Sequence, residues 1–452
     1  MKEDNKGIMI IGGGLAGCEA AWQAAKRGVE VVLYEMRPKV STDAHTGADL
    51  GELVCSNSLG SNLKDRASGV LKEELRLAGS LLVECAETAA VPAGNALAVD
   101  RKIFSREIEN KLSNHPNIKI IREEIRSIPE DETVIIASGP LSSQAISSEI
   151  SRICGTENLY FFDAIAPIIE YSSINMDIAY SASRYSKDET DDGDYINCPF
   201  TKEEYEAFVD ALTSAQRIPL KSFEEQINAG VSAGKMSFFE GCLPVEVLAG
   251  RSIQALAFGP MRPVGLIDPR TGKRPWAVMQ LRQDNKAGTL YNMVGFQTNL
   301  LHKEQERVFR MIPGLENAQF VRYGQMHRNT YICAPGILNA SLQMIDHPSI
   351  FFAGQLCGVE GYMGNIAAGL LAGINAARYI QGKELLILPE EMVSGSLFNY
   401  ISTTEAKHFQ PMKANFGILP PLEKHTKSKR ERYMLYSQRA LETAVSLFNK
   451  EQ

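Results

Sequence analysis

Six consecutive residues near the N-terminus, Gly12-Gly13-Gly14-Leu15-Ala16-Gly17, and an acid further on, Glu35, are the types needed to hold a dinucleotide. Gly12 allows a tight turn, Gly14 lets the backbone approach a pyrophosphate, and Gly17 lets a helix pack closely on a strand. Glu35 stands where an acid can hold ribose hydroxyls. A second set of residues could do covalent chemistry. Cys55, one of eight scattered cysteines, lies in the turn-rich polar stretch Cys55-Ser56-Asn57-Ser58. A thiolate is a strong nucleophile and a usable base.

Glycines alone are weak evidence, so the elements around them decide. Ile8 to Ile11 is an apolar run of strand length. Ala20, Ala21, Ala24 and Ala25 follow at helical spacing, and Gly28 ends that helix. Val29 to Tyr34 then reads as a second buried strand with Glu35 at its tip. The order strand, glycine turn, helix, strand, acid is that of a dinucleotide fold, and the helix N-terminus offers free N–H groups to the phosphates. Further on, helices are expected over Gly69–Leu77, Ile103–Leu112, Lys202–Leu212 and Phe238–Arg251. Strands are expected at Ile118–Arg122, Thr133–Gly139, Ala277–Leu281 and Tyr291–Phe296. Ile350–Gln355, with Gly354 and Gln355 at its end, reads as a strand entering a second glycine-rich stretch, Gly358-Val359-Glu360-Gly361-Tyr362. The small-residue helix Ile366–Arg378 follows it and would point its N-terminus at a flavin. Arg430 to Lys450 closes the chain as a helix.

The chain has 452 residues, 44% hydrophobic and 22% charged, which suffices for a real core and for two or three domains. No apolar run approaches membrane-spanning length, and the first residues do not read as a signal peptide. The eight cysteines are scattered without metal-type spacing, which suits thiols in a reducing cytoplasm and predicts no metal. A net charge of −7 argues against indiscriminate nucleic-acid binding. Two stretches run against it: Arg251–Lys286 has seven Lys/Arg and two Asp, and Lys407–Arg439 has eight Lys/Arg and two acids. Residues 188–194 hold five acids and read as a solvated loop at the entry to an inserted domain.

The sequence resembles the folate- and FAD-dependent RNA (uracil-5-)-methyltransferases, the TrmFO type. The resemblance rests on GGGLAGCEAAWQAAKRG with LYEMRP, ELVCSNSL, ALAVDR, FFEGCLPVEVLAGR, FGPMRPVGL, QLRQDN, GFQTNL, FFAGQLCGVEGY and HFQPMKANFGILPP, and it covers nearly the whole chain. It departs from the family's usual pattern at Gly361-Tyr362-Met363-Gly364-Asn365, where GYVES is common, at Asn95 and at Gly60. The fold this implies is α/β, a glutathione-reductase-like (Rossmann-type) FAD-binding domain interrupted by a smaller α/β insertion domain. The expected boundaries are 1–180 and 325–452 for the FAD-binding domain, with a basic C-terminal tail, and 181–324 for the insertion.

The implied activity is methylation of uridine C5 in the T-loop of tRNA. Methylenetetrahydrofolate is the carbon donor, FAD reduced by NADH or NADPH the source of electrons, and RNA the partner. The resemblance assigns Cys242 as the nucleophile and Cys55 as the second thiol, removing the C5 proton. Pro244 suits the first position of a helix through Glu246, whose dipole would favour a Cys242 thiolate, although Glu246 opposes it. The cofactor residues are Gly12, Gly13, Gly14, Leu15, Ala16, Gly17, Glu35, Arg37, Gly354, Gln355, Gly361 and Tyr362. Cys18, Cys85, Cys154, Cys198, Cys333 and Cys357 read as packing, and Trp276 as core. The cluster His327-Arg328-Asn329 fits either an RNA or flavin contact or a satisfied polar network. Lys427, Lys429 and Arg430 are expected to add RNA affinity. Alternatives are a paralogue methylating 23S ribosomal RNA by the same chemistry, a flavin-bearing RNA-binding protein with lapsed catalysis, or a small-molecule flavin oxidoreductase.

Overall fold

The computed structural model describes residues 7–42, 44–155, 159–184, 193–218, 243–423, 426 and 428–451. Cys242, Lys427 and the acids at 188–192 lie outside the described residues, as do the first five residues of the expected helix Phe238–Arg251.

The strand Ile8–Ile11 is the middle of a five-stranded parallel sheet. Its neighbours in order are Ile350–Phe352, Thr133–Ile136, itself, Val31–Glu35 and Ile118–Arg122. Ile8, Ile10 and Ile11 are buried, as a central parallel strand covered by helices on both faces requires. The helix Leu15–Lys26 crosses one face and packs on the long helix Tyr362–Ile380. Small residues permit that contact: a Cβ on Gly369 would stand 2.2 Å from the Ala16 carbonyl oxygen, and one on Gly373 2.4 Å from that of Ala20. The last strand and this helix come from the C-terminal third of the chain. The nucleotide fold is thus closed by its returning end.

The intervening chain builds a second sheet, six-stranded and antiparallel throughout. Its order is Tyr180–Ser181, Tyr195–Phe200, Ala277–Gln283, Leu290–Met293, Ile168–Glu170, Phe320–Arg322. The helix Lys202–Ser214 begins with a capping box between Thr201 and Glu204. It buries Tyr205, Phe208, Val209 and Leu212 in a separate core with Phe200, Phe296 and Phe309. The strands Leu159–Ala164 and Met326–Tyr331 pair antiparallel where the chain leaves the first body and returns. His327, Arg328 and Asn329 sit on that returning strand, and Asn329 is buried.

The sequence-based expectations need several adjustments. The expected strand Tyr291–Phe296 stops at Met293, because Gly295 at φ 78° turns the chain. The helix expected from Ile366 starts at Tyr362, directly after Gly361. Helices at Leu81–Thr88 and Gln144–Cys154, capped by Ser80 and Ser143, were not anticipated. Trp276, expected in the core, is 43% exposed with the Lys202 ammonium 5.6 Å from its ring centroid. The residue sits on the loop before the strand Ala277–Gln283, and only the strand itself turns into the core. Among the described residues no helix is long and apolar enough to cross a membrane, and no cluster of His, Cys, Asp and Glu could hold a metal ion.

Candidate functional site

A cleft with about 1000 Å³ of empty space, partly open to solvent, lies at the carboxyl ends of the parallel strands. This is where open α/β sheets take ligands. Gly12, Gly14, Leu15, Ala16, Glu35, Arg37, Gly354, Gln355 and Tyr362 line it. A Cβ on Gly14 would meet no protein atom within 4 Å. The backbone there is left bare toward the cleft. Gly12 at φ 109° passes so close to the strand Thr133–Ile136 that a Cβ would stand 2.5 Å from the Ala137 oxygen. Gly17 faces the other way, and a Cβ on it would stand 1.8 Å from the Gly12 oxygen. Gly13, Gly17 and Gly361 do not line the cleft; they shape the two turns that do.

The acid at the strand tip is held by three donors and keeps acceptor capacity toward the cleft. Glu35 accepts from the Gly13 N–H, the Arg37 N–H and the Arg37 Nε, each at 2.9 Å. Burial alone would raise its pKa, but the Arg37 side chain and the two backbone N–H groups override that and hold it below the usual carboxylate range. Arg37 also donates to Glu52 at 2.7 Å, so its guanidinium bridges two carboxylates in the cleft wall. His45 stands beside them, with its Nδ1 2.6 Å from the Thr42 hydroxyl. Burial and the Arg37 charge push its pKa down to about 4, leaving the imidazole neutral near pH 7. His45 and Glu52 were not singled out from the sequence, since a polar loop carries no periodic signal.

Asn365 tests whether the cleft suits a flavin nucleotide. Its side-chain amide oxygen is buried among the lining residues and has no hydrogen-bond partner. The helix Tyr362–Ile380 starts at the same wall, so its first N–H groups are also unpaired within the helix. A bare glycine turn, an ionised acid for a ribose, a helix N-terminus and an orphaned amide together fit FAD. Asn365→Leu is therefore expected to weaken FAD binding about tenfold, the order of one hydrogen bond left unmade. Titration of FAD-stripped protein by flavin fluorescence would measure it; an unchanged affinity would mean the amide meets only water.

Cys55 stands at the rim of this cleft. Its backbone N–H donates to the Tyr362 hydroxyl at 2.9 Å, and the Ser56 N–H donates to the same oxygen at 3.2 Å. Burial, reinforced by the neighbouring Cys55, pushes the Tyr362 phenol well above its ordinary pKa. It remains a neutral anchor for the thiol loop. The other side of the loop is tied to the second sheet. Arg282 donates to Asn57 at 2.9 Å and to Ser56 at 2.8 Å, and Asn57 donates to the Gln283 carbonyl at 2.9 Å. Arg101 joins the Leu53 carbonyl at 2.6 Å to Asp284 at 3.2 Å. The segments CSNSL and QLRQDN, far apart in sequence, thus meet around Cys55.

Cys242 lies outside the described residues, and the helix after it is shorter than expected. It runs Val245–Ala249, five residues, with Pro244 at the cap rather than inside the first turn. So short a helix carries little dipole, which removes that argument for a Cys242 thiolate. Glu246 is no simple opponent either: its buried carboxyl accepts from the Thr298 hydroxyl and the Asn299 N–H at 2.8 Å, and burial raises its pKa. Cys18, Cys85, Cys198 and Cys357 are buried, and burial pushes their thiols up. Cys154 and Cys333, also shifted upward by burial, are half-buried against the main core.

Residues 7–384 match the family described as "Glucose inhibited division protein A". A relative from Pelotomaculum thermopropionicum is 53% identical over 436 residues, covering 96% of this chain and 97% of its own. One from Bacillus pumilus is 54% identical over 440 residues, covering 97% and 98%. Both carry the name methylenetetrahydrofolate–tRNA-(uracil-5-)-methyltransferase TrmFO. Among solved structures, Aquifex aeolicus GidA in its form II crystal superposes with a TM-score of 0.69 at 15% identity, over all of this chain and 74% of that one. The form I crystal gives 0.65 at 16% identity, over 98% and 78%. These two show the fold alone.

Proposed function

The chain belongs to the family described as glucose inhibited division protein A and, within it, to the methylenetetrahydrofolate-dependent (uracil-5-)-methyltransferases of the TrmFO type, and on that premise we propose which residues do the work. The enzyme is a flavoprotein that methylates uridine C5 in tRNA. Bound FAD, reduced by NADH or NADPH, supplies the two electrons that take the folate-derived carbon from the methylene to the methyl level.

Uracil C5 is not nucleophilic in the free base. In the reading we favour, the Cys242 thiolate adds to C6, forming a carbon–sulfur bond and an enolate whose C5 can take the one-carbon unit. Cys55 then removes the C5 proton as the nitrogen that carried the carbon leaves it, a hydride equivalent reduces the resulting exocyclic methylene to the methyl, and the Cys242 sulfur leaves C6 as the ring double bond re-forms. Glu35 and Arg37 order the ribose end of the dinucleotide site, and Tyr362 and Arg282 fix the Cys55 loop between the two sheets. The observation that carries this reading is the placement of Cys55, held by a tyrosine of the FAD cleft on one side and by the second sheet on the other. We take the substrate position to be in the T-loop. We take the reaction to be cytoplasmic, a reading that a tRNA substrate and the scattered cysteines support. We read residues 181–324 as the insertion domain; the separate core drawn from residues 169–320 supports such a unit.

The test uses unmodified tRNA and, in parallel, unmodified ribosomal RNA, with methylenetetrahydrofolate labelled in its methylene carbon. Label is expected in 5-methyluridine of tRNA, only when reduced nicotinamide is present. Product on ribosomal RNA alone would instead identify the paralogue. Methylation that requires S-adenosylmethionine would overturn the chemistry.

A further inference from the structure

The outer end of the second sheet carries large apolar side chains where a soluble surface would not ordinarily keep them. Phe258 is 77% exposed and Trp276 43%. Both are tied to the start of one helix. The Tyr205 hydroxyl accepts from Ala257 N–H at 3.1 Å and donates to the Ile253 carbonyl at 2.7 Å, which pins the segment carrying Phe258 to the helix Lys202–Ser214. The Trp276 N–H donates to the Phe200 carbonyl at 2.9 Å, just before that helix starts, and Lys202 on its first turn covers the indole.

Charges of both signs surround this face: Lys202 pairs with Glu206 at 3.7 Å, and Glu203 and Glu204 are exposed on the same helix, whereas cations predominate beside Trp276. Lys273 and Arg274 are exposed and form no salt bridge among the described residues. Arg262 is exposed as well, while Arg270 is paired with Asp268 at 2.8 Å. Exposed aromatic rings beside cations that no described acid pairs, on a protein of net charge −7, suit a polyanion with flat apolar faces. Unpaired RNA bases satisfy both demands, since they stack on aromatic rings while their phosphates meet lysine and arginine.

We propose that Phe258 and Trp276, rimmed by Lys202, Lys273 and Arg274, form a stacking platform for unpaired bases of the RNA substrate, away from the reacting uridine. The proposal rests on the reading that the substrate is RNA. The strand Ala277–Gln283 has Trp276 at one end and meets Asn57 beside Cys55 at the other. At about 3.3 Å per residue the two ends are roughly 20 Å apart. One nucleotide cannot touch both. The platform therefore holds a different part of the RNA from the part that reacts and selects for a folded, partly unpaired molecule.

The experiment uses the full-length FAD-loaded enzyme with two probes, an unmodified tRNA transcript and a blunt RNA duplex, each titrated at two salt concentrations. Phe258→Ala/Trp276→Ala is expected to weaken tRNA binding about tenfold or more while leaving duplex affinity and the salt slope unchanged. Lys273→Gln/Arg274→Gln is expected to weaken both probes and to lower the salt slope by about 2. In the unaltered enzyme, tRNA containing 4-thiouridine should photo-crosslink to a peptide carrying Phe258 or Trp276. Wild-type tRNA affinity in the aromatic variant overturns the platform, and so does a dimeric enzyme that the same variant renders monomeric. In either case methylation by the unaltered enzyme leaves the RNA reading standing. An unaltered enzyme that neither binds nor methylates RNA overturns that reading as well.

Discussion

Cys242→Ala should abolish formation of 5-methyluridine, by about 10⁴-fold or more, because without a thiolate on C6 the uracil C5 never becomes nucleophilic. FAD content should be unchanged, since Gly12, Gly14, Glu35 and Gln355, which line the flavin cleft, are left as they are. Cys55→Ala should also cost activity, in the range of about 10²–10⁴ expected for a lost acid–base group, but it should fail at a later point. The two variants separate cleanly on RNA containing 5-fluorouridine, whose C5 carries no removable proton. The unaltered enzyme and Cys55→Ala should both accumulate a covalent protein–RNA adduct that survives denaturation, and Cys242→Ala should form none. An adduct in Cys242→Ala, lost instead in Cys55→Ala, would exchange the two roles. Turnover near the wild-type rate in Cys242→Ala would remove covalent catalysis by that residue altogether.

How far the sequence could reveal this site depends on the range of the interactions that build it. The turn Gly12–Gly17 and the acid Glu35 are local. Backbone approach and helix–strand packing demand glycine at fixed spacing, and the structure sets Gly13 against Glu35 as such spacing implies. The helix Gln144–Cys154 was missed although Ile146, Ile150 and Ile153 form one buried face, because its serines dilute the apolar pattern. Trp276 was misread because an aromatic before a strand looks like core until the sheet's outer end is known. The Cys55 environment lies beyond any local reading. Tyr362 and Arg282 are 307 and 226 residues from the atoms they hold, so no spacing rule connects them. His45 and Asn365 belong to the same class, polar residues whose meaning comes only from what faces them across the cleft.

The second large effect concerns the two glycines of the nucleotide turn, which should fail in different ways. At Gly14 a Cβ meets no protein atom within 4 Å, so Gly14→Val should fold and melt close to FAD-free wild type. Its isopropyl group would nevertheless fill the space where the backbone must approach the pyrophosphate. The purified protein should therefore be colourless, with FAD affinity down by at least about 100-fold, an energy of roughly 3 kcal/mol. Gly17 is different. A Cβ there would stand 1.8 Å from the Gly12 oxygen, a contact no side-chain rotation relieves because both partners are backbone. Gly17→Val must push the helix Leu15–Lys26 away from the strand Ile8–Ile11, disturbing the main core as well as the cofactor. It should lower the melting temperature in the presence or absence of added FAD, at a cost of about 1–3 kcal/mol or more, typical of overpacking. The measurements are the ratio of flavin to protein absorbance and thermal unfolding with and without FAD. A yellow Gly14→Val protein with full occupancy would mean that the pyrophosphate does not pass this turn. A Gly17→Val protein as stable as wild type would mean that the helix is not held against the turn as tightly as the backbone contact requires.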